Sequence, residues 1–320
     1  MGAFILRRLM WLVPVLFVIS LLTFFLGHLA PGGPFDRDVM ARQLPPETID
    51  LLNRKYHLND PLYTQYLLYM RGALTGDLGP SFQYKGIGVT ELIFSPPTGR
   101  PVWESRIGRT AELGLFAFVF AIIVGIPLGI IAALRQNTWV DYVSLFGATI
   151  GVTIPNFVLA VFLLIIFGVK LHWFPVATTN YTDWHSWVLP SFVLGLTLAA
   201  FLTRLTRATM LEVMRQDYIR TARSKGLAEK MVVLKHALRN SMIPTATVLG
   251  PALAGLVTGS FFVEYMFSFP GAGRMYIQAV NGRDYSMVMG TTLLYAFLVA
   301  LANLSVDLVY GWLDPRIKLS

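Results

Sequence analysis

Five histidines and one glycine-rich stretch are the features of this 320-residue chain that could carry metal or nucleotide chemistry. No phosphate-binding G-x-x-x-x-G-K-[ST] sequence and no nucleophilic G-x-S-x-G elbow occurs. The stretch Gly271-Ala272-Gly273 holds two glycines of a dinucleotide fingerprint but follows Phe269-Pro270 rather than a strand, and we predict a turn there. The histidines lie mostly in separate stretches without H-E-x-x-H spacing, so a metal site is not predicted; they are His28, His57, His172, His185 and His236.

The composition is that of a membrane protein. Charged residues make up 14% of the chain and hydrophobic residues 55%, with a mean hydropathy of +0.58. Soluble domains carry about 25% charged residues, so this chain lacks the polar side chains to cover two globular surfaces, and its apolar excess is predicted to face lipid. The absence of cysteine excludes disulfide scaffolds, thiolate metal sites and cysteine nucleophiles.

Six stretches free of charged residues are long enough to cross a hydrocarbon core about 30 Å thick, which takes roughly 20 helical residues. The first could be a cleaved signal peptide, but its 21 residues exceed the usual length of about 7 to 15 apolar residues. The fourth and fifth contain prolines and threonines, which neighbouring helices can accommodate, so we expect these two inside the bundle. The six stretches are 9–29, 113–134, 142–169, 184–203, 240–263 and 285–306.

Thr153, Asn156 and Asn303 are polar residues well inside the third and sixth stretches. They could line a polar path, or they could bond one helix to another, which is common in membrane bundles. The carboxylates Glu112 and Asp307 lie at the ends of stretches, and none lies at mid-membrane. A carboxylate there would cost about 2.5 to 3.5 kcal/mol, and its absence argues against a proton-driven pump.

The basic residues of the short loops predict the orientation, since they collect on the cytoplasmic side. With six spans both termini share one side, which holds fourteen Lys and Arg residues against three in the short loops opposite. We therefore expect cytoplasmic termini. Residues 30–108, here called the inserted segment, exceed the loop length to which the rule applies and are expected outside.

The inserted segment has the punctuation of a folded structure. Pro45-Pro46-Glu47 predicts the start of one helix, and Asn59-Asp60-Pro61 the start of a second that ends near Gly72 and Gly76. The pattern fits either a small cap on the bundle or a docking surface for an external partner.

Residues 204–239, here called the basic segment, hold nine basic and three acidic residues. Apolar residues recur at three-to-four spacing on both sides of Gly226, which predicts two amphipathic helices that meet at this glycine. A basic hairpin of this kind could lie on anionic headgroups, each charge contributing about 1 kcal/mol. A lone glycine at a tip between two helical runs is better suited to a socket on another protein.

Short sequences in a fixed order carry a family resemblance: K-Y-H-L-N-D-P at 55–61, G-D-L-G-P-S-F at 76–82 and R-T-A-R-S-K-G-L at 220–227. Along nearly its whole length the chain resembles the B-type permease subunits of bacterial oligopeptide and dipeptide ABC importers. Ala222 and Gly226 keep the general importer-permease pattern, whereas Arg220 replaces its glutamate. Further matching stretches are 7–8, 29–32, 236–240, 267–274, 283–285 and 314–316.

The resemblance implies an all-α polytopic membrane protein of the type I ABC importer permease fold, in the bacterial inner membrane. Along the chain it implies an N-terminal transmembrane helix at 1–29, an extracytoplasmic segment at 30–108, a five-helix core at 109–312 and a cytoplasmic tail at 313–320. The implied function is the permeation of oligopeptides or dipeptides, without an ATPase site or cofactor in this chain. The implied partners are a second related permease subunit, two ABC ATPases that bind ATP and Mg, and an extracytoplasmic peptide-binding protein; no nucleic acid is expected.

The resemblance also implies that the tip of the basic segment contacts an ATPase. Ala222 and Leu227 would fill its groove, and Arg223 or Lys225 would meet acidic residues at the rim. The same architecture could instead carry nickel or glutathione, and an ion-coupled secondary transporter would need no ATPase. The residues of the tip are Thr221, Ala222, Arg223, Ser224, Lys225, Gly226 and Leu227.

Overall fold

The computed structural model describes residues 2–29, 33–35, 45–177 and 182–313, and the regular elements within these ranges are helices, with no named strand. The helices of the first half are α1 (Gly2–Leu29), α2 (Pro46–Lys55), α3 (Leu62–Leu74), α4 (Val89–Phe94), α5 (Arg106–Leu134), α6 (Trp139–Thr153) and α7 (Asn156–Leu163). Those of the second half are α8 (His185–Met214), α9 (Asp217–Ser224), α10 (Glu229–Val257), α11 (Phe261–Met266), α12 (Ala272–Gly282) and α13 (Tyr285–Leu313).

Five of these helices, α1, α5, α8, α10 and α13, are long and apolar enough to cross a membrane, and α6 with α7 can make a sixth span. The predicted all-α organisation with six spans is thereby confirmed. The described residues group into two compact units, one within Met1–Thr110 and Pro270–Leu304 and the other within Ala111–Phe269 and Ser305–Lys318. The five-helix core expected at 109–312 is a division along the chain and stays a prediction.

The third predicted span is not one continuous helix. α6 ends at Thr153, and α7 begins at Asn156 at an angle of 106° to it. Pro155 has no N–H to continue the helix, and a proline disfavours helical backbone in the residue before it, here Ile154 with φ −78° and ψ 122°. After α7 the chain widens into a π-helix over Leu164–Lys170.

Two other spans end at different places than expected. α8 runs past residue 203 to Met214, so Arg204 and Arg207 belong to a helix rather than a loop. α10 stops at Val257 instead of residue 263. In the most apolar stretch of α8, 56% of the residues are buried, as expected of an interior helix. In that of α10 only 17% of the residues are buried, so the expectation for α10 is wrong within this chain.

The helices predicted in the inserted segment are confirmed as α2 and α3, but α4, α11 and α12 are not predicted by the sequence. The predicted turn at Gly271–Gly273 is wrong because α12 begins at Ala272, with Gly271 in extended backbone as its N-cap. Met275 and Ala279 on α12 are buried in one apolar cluster with Val89 of α4. Burial of this face outweighs the turn tendency of the two glycines.

α5 and α8 pack with their backbones in near contact. A Cβ built on Gly125 would lie 2.5 Å from the carbonyl oxygen of Ala199, so no larger residue fits there. The Thr203 hydroxyl of α8 donates a hydrogen bond to the Gly125 carbonyl at 3.1 Å. Small residues and hydroxyl contacts of this kind hold helices together where the hydrophobic effect does not.

Asp284, between α12 and α13, anchors the loop that precedes α4. Its Oδ2 accepts hydrogen bonds from the Ser81 hydroxyl at 2.5 Å and from the amides of Phe82 and Gln83 at 3.0 and 3.2 Å. Its Oδ1 accepts from the Met287 amide at 3.1 Å, at the start of α13. The residue is 1% exposed, and these four bonds offset the cost of burying its carboxylate.

We expect Asp284→Asn to loosen this loop, because the amide is uncharged and its NH2 group must face either the donors of residues 81–83 or the Met287 amide. Loss of bonds to a charged acceptor costs about 2 kcal/mol. The measurement is limited proteolysis of the purified chain, with faster cleavage near residues 76–88 expected. Asp50→Asn, at an exposed position of α2, is the control. Equal protection in the two variants would contradict the anchoring role.

Candidate functional site

The first predicted helix of the basic segment is interrupted before it reaches Gly226. The first apolar run is broken at Arg215 and Gln216, where α8 ends and α9 begins. The second run starts at Glu229, where α10 begins, and includes a π-helical turn over Val232–Ala237. The tip is therefore the end of α9 and the four residues that join it to α10.

Gly226 ends α9 in the way that glycine alone favours. Its φ is +74°, the left-handed region that costs other residues about 1 to 2 kcal/mol. The Gly226 amide donates to the Arg223 carbonyl at 2.9 Å and the Leu227 amide to the Ala222 carbonyl at 3.4 Å. These two bonds are the Schellman pattern of a helix end, so the predicted turn at Gly226 is confirmed.

One face of α9 packs against the chain's own helices. Ile219 and Ala222 are 0% and 7% exposed and share an apolar cluster with Met210 of α8 and with Val232 and Val233 of α10. Ala222 is therefore buried and is not available to fill a groove on another protein. Of the two residues expected to fill the groove, only Leu227 is exposed, at 38%, and Ala222 is withdrawn.

Arg223 is also engaged within the chain. Its Nε and Nη2 donate to the two carboxylate oxygens of Glu229 at 3.1 and 2.6 Å, which brackets Gly226 between the ends of α9 and α10. The hydrogen bonds that Arg223 donates to this carboxylate raise the pKa of Arg223. Lys225 is exposed and remains the better candidate for an acidic partner. Thr221 and Ser224 of the tip are exposed as well, and their contact with an ATPase stays a prediction.

An ion pair links the first part of this segment to α6 and was not predicted. Arg207 of α8 donates from Nε and Nη2 to Asp141 of α6 at 2.5 and 2.7 Å. The Asn137 amide donates to the same carboxylate at 3.0 Å. Asp141 is 1% exposed, so the pair ties the start of α6 to α8 one turn before Met210.

Sequence reasoning missed this pair because it placed Asp141 just outside the third span and counted Arg207 as a loop charge. The two residues are 66 positions apart, and only the packing of α6 on α8 brings them together. The available signal was an acidic residue directly before an apolar stretch, which suits the first turn of a helix.

The three residues named as possible path lining fall in different surroundings. Thr153 is exposed at the end of α6, and Asn156 is half-buried at the start of α7, so these two flank the bend. Asn156 accepts a hydrogen bond from the Thr197 hydroxyl of α8 at 2.8 Å, a contact between helices. Asn303 lies on α13 in the other unit, beside a cavity of about 250 Å³ that Trp11 of α1 also lines. Their role along a path stays a prediction.

The inserted segment helps to enclose a second feature, a cavity of about 360 Å³ between α2, α3, α1 and α13. The hydroxyl of Tyr69 is buried without a hydrogen-bond partner among the described residues. Burial, and then the charge of Asp77, raises the pKa of this tyrosine. The stretches 55–61 and 76–82, singled out in the sequence, both contribute to the wall. Residues of the wall include His28, Tyr56, His57, Tyr69, Asp77, Phe82 and Tyr285.

Comparison with known proteins relates both parts of the chain to transport systems. Residues 125–319 match the family described as binding-protein-dependent transport system inner membrane component, and residues 1–88 match its N-terminal family. The chain is 41% identical to the oligopeptide transport system permease protein OppB of Escherichia coli K12 over 98% of this chain and 99% of that protein. It is 40% identical to the dipeptide transport system permease protein DppB of Bacillus subtilis, over 100% and 99%.

A solved structure is also similar. An inward-facing MetNI methionine ABC transporter matches with a TM-score of 0.49 at 17% identity, covering 65% of this chain and 94% of that one.

We expect Arg207→Met to lower the free energy of unfolding by about 3 kcal/mol, since it leaves the Asp141 charge buried without its partner. The double variant Asp141→Asn with Arg207→Met should lose less than the sum of the two single variants. Thermal unfolding of the purified chain in detergent measures both. Arg220→Met is the control, because Arg220 and Asp217 form an exposed pair at 3.7 Å that should contribute little. Additive losses would contradict the pairing.

Proposed function

Because the chain belongs to the family of binding-protein-dependent transport system inner membrane components, we propose that it is the permease subunit of an ATP-driven importer of oligopeptides or dipeptides. The observation that carries this proposal is its identity of 40% or more, over nearly the full length of both chains, to permeases of oligopeptide and dipeptide transport systems. Separate ATPase subunits, which bind ATP and Mg, supply the energy.

The charge distribution supports one orientation in the membrane. Both termini and the basic segment lie in the cytoplasm, where Lys and Arg residues collect. The inserted segment lies outside, where its cavity at Tyr69 and Asp77 faces the proposed extracytoplasmic binding protein. In this orientation α1 and the described part of α13 cross the membrane.

The tip of the basic segment contacts an ATPase subunit in this proposal. Leu227, Met231 and Leu234 are 38%, 48% and 54% exposed, and their spacing of four and three residues supports one apolar stripe beside Lys225. Exposed apolar side chains next to a basic surface suit a protein partner with an acidic rim. Because the other face of α9 is buried on α8 and α10, a displacement of the tip would be passed to both helices.

A second related permease subunit completes the path. One exposed face of α10 carries four small or helix-disfavouring residues at three- and four-residue spacing, next to the larger Ile243: Pro244, Thr247, Pro251 and Gly255. Lipid contact favours large aliphatic side chains, whereas small residues mark helix–helix interfaces in membranes. The low burial of α10 within this chain is then explained by a partner helix.

The direct test is reconstitution in vesicles of this chain, its permease partner, the two ATPases and the binding protein. We expect accumulation of a radiolabelled tripeptide against its gradient only when ATP is supplied on the side of the basic segment. Vesicles that hold this chain alone should accumulate nothing, because it has no energy source. Accumulation by the chain alone in an ion gradient would overturn the proposal.

Gly226→Pro should uncouple ATP hydrolysis from uptake, because proline fixes φ near −65° and removes the N–H that bonds the Arg223 carbonyl. Gly226→Asn is the matched variant, since asparagine tolerates left-handed backbone and keeps the N–H. The measurement is the number of peptides imported per ATP hydrolysed in the reconstituted complex. We expect a loss of at least about tenfold for proline and less than about twofold for asparagine. Equal ratios in the two variants would contradict a role for the turn.

Gly255→Leu should reduce assembly with the second permease subunit while the chain itself folds. A Cβ at Gly255 meets no described atom within 4 Å, so the chain has room for leucine but an apposed helix does not. Gly147→Leu on α6 is the control, because it is equally open within the chain but neighbours the large exposed residues Phe146 and Ile150. Co-purification of the two subunits is the measurement, and an equal yield in both variants would argue against this interface.

A further inference from the structure

An aromatic cleft of about 480 Å³ lies between the N-terminal parts of α5 and α8. Phe116 and Phe120 of α5 line one side, and Trp187 and Phe192 of α8 line the other. The Phe116 and Trp187 rings meet edge to face at 5.3 Å between centroids, and the Phe120 and Phe192 rings lie 5.3 Å apart. A volume of this size is that of a small-molecule site, which typically spans about 300 to 1,000 Å³.

Three residues with polar side chains, Glu112, Thr182 and Ser191, line this otherwise apolar cleft, and Glu112 and Ser191 carry the argument. Glu112, two turns into α5, contributes a carboxylate to the lining. Ser191 is 8% exposed, and its hydroxyl has no hydrogen-bond partner among the described residues. A buried hydroxyl without a partner costs free energy, so a ligand that supplies an N–H donor would be favoured there. Neither group takes part in the transport contacts described above.

The combination selects a cation that carries N–H groups. Aromatic rings attract cations to their faces, most strongly for tryptophan. The carboxylate of Glu112 attracts a cation and repels anions. Its two oxygens can accept several hydrogen bonds, so it can bind a ligand in addition to its contacts within the chain. The hydroxyl oxygen of Ser191 accepts a further hydrogen bond. A quaternary ammonium has no N–H to donate to the Ser191 hydroxyl, whereas a primary ammonium supplies three donors.

We propose that this cleft binds a primary ammonium group attached to an apolar body, with Glu112 and Ser191 as hydrogen-bond acceptors and the rings of Phe116 and Trp187 as apolar and π contacts. The cleft lies near the ends of two spanning helices, where aromatic residues collect at the membrane–water interface. Two sources offer such a group there: the free amino terminus of a peptide and the headgroup of phosphatidylethanolamine.

The test uses the purified full-length chain in nanodiscs of phosphatidylcholine, whose headgroup has no N–H donor and no net charge. The probe is 2-phenylethylammonium, titrated by isothermal calorimetry, with 2-phenylethanol as the neutral isostere. We expect the ammonium to bind at least about tenfold more tightly than the alcohol, because only the ammonium gains the charged hydrogen bond. Equal binding of the two probes by the unmodified chain would overturn the proposal without any variant.

Two variants locate the site. Glu112→Gln should weaken ammonium binding at least about tenfold and Ser191→Ala about fivefold, in the order of a charged and a neutral hydrogen bond. Glu47→Gln, which removes an exposed acidic residue of α2, should leave it unchanged. If Glu112→Gln fails to insert, Ser191→Ala and the isostere comparison still decide. Unchanged binding in Ser191→Ala together with the inserted Glu112→Gln would overturn the proposal.

The source is distinguished by competition. A rise in phosphatidylethanolamine content that weakens the probe would identify the lipid headgroup. Displacement by trialanine but not by N-acetyl-trialanine, with no effect of the lipid, would identify the peptide amino terminus; either result supports an ammonium site. No ATPase or transport is involved, so failure of this proposal would leave the proposed function intact, and loss of transport would leave the binding result intact.

Discussion

The ion pair between Asp141 and Arg207 is the contact on which the arrangement around the basic segment depends. Its charges are largely removed from water, so neither partner can be exchanged without leaving the other uncompensated. The pair fixes the start of α6 against α8 at the point where α8 approaches its end. Met210, one turn further along, belongs to the apolar cluster that holds α9 and α10. The ion pair and the cluster therefore join four helices into one packed block.

This packed block is the structural basis of the proposed coupling between an ATPase subunit and the membrane helices. The Schellman turn at Gly226 and the Arg223–Glu229 pair set the shape of the tip, while Ile219 and Ala222 fasten its inner face to α8 and α10. A partner that pushes the exposed outer face meets a surface backed by packed side chains rather than by a loop. The membrane helices contribute close backbone packing, as at Gly125, which transmits small shifts between α5 and α8.

Some exposed surfaces of the chain are explained best by contacts with partner proteins. The small-residue face of α10 and the apolar stripe at Leu227, Met231 and Leu234 are exposed when the chain is considered alone. Each has a composition suited to a different surrounding: a neighbouring membrane helix for the first, a soluble protein with an acidic rim for the second. The inserted segment, anchored by Asp284, presents a third surface.

The sequence predicted the parts of this structure that depend on local composition. Charge-free stretches located the five long apolar helices and the bent pair α6 and α7. Gly226 located the turn, because the left-handed backbone there favours glycine. The bend at Pro155 was not foreseen, since the apolar run continues across it and composition carries no angle. Ala222 was assigned to a groove on an ATPase from the family resemblance, whereas in the fold it joins the apolar cluster of α8 and α10. The pairing of Asp141 with Arg207 depends on helix packing across 66 residues, which periodicity does not report.

The movement of α9 relative to α6 tests this account most directly. The chain has no native cysteine, so spin labels can be placed at Asp217→Cys on α9, outside the tip, and at Tyr142→Cys on α6, both exposed positions. The distance between the labels would be measured in the assembled complex without nucleotide and with ATP bound. A packed block predicts that the mean distance changes by less than about 2 Å, the scale of side-chain repacking at interfaces. A larger change would show that α9 moves independently of α6 and would contradict the central claim.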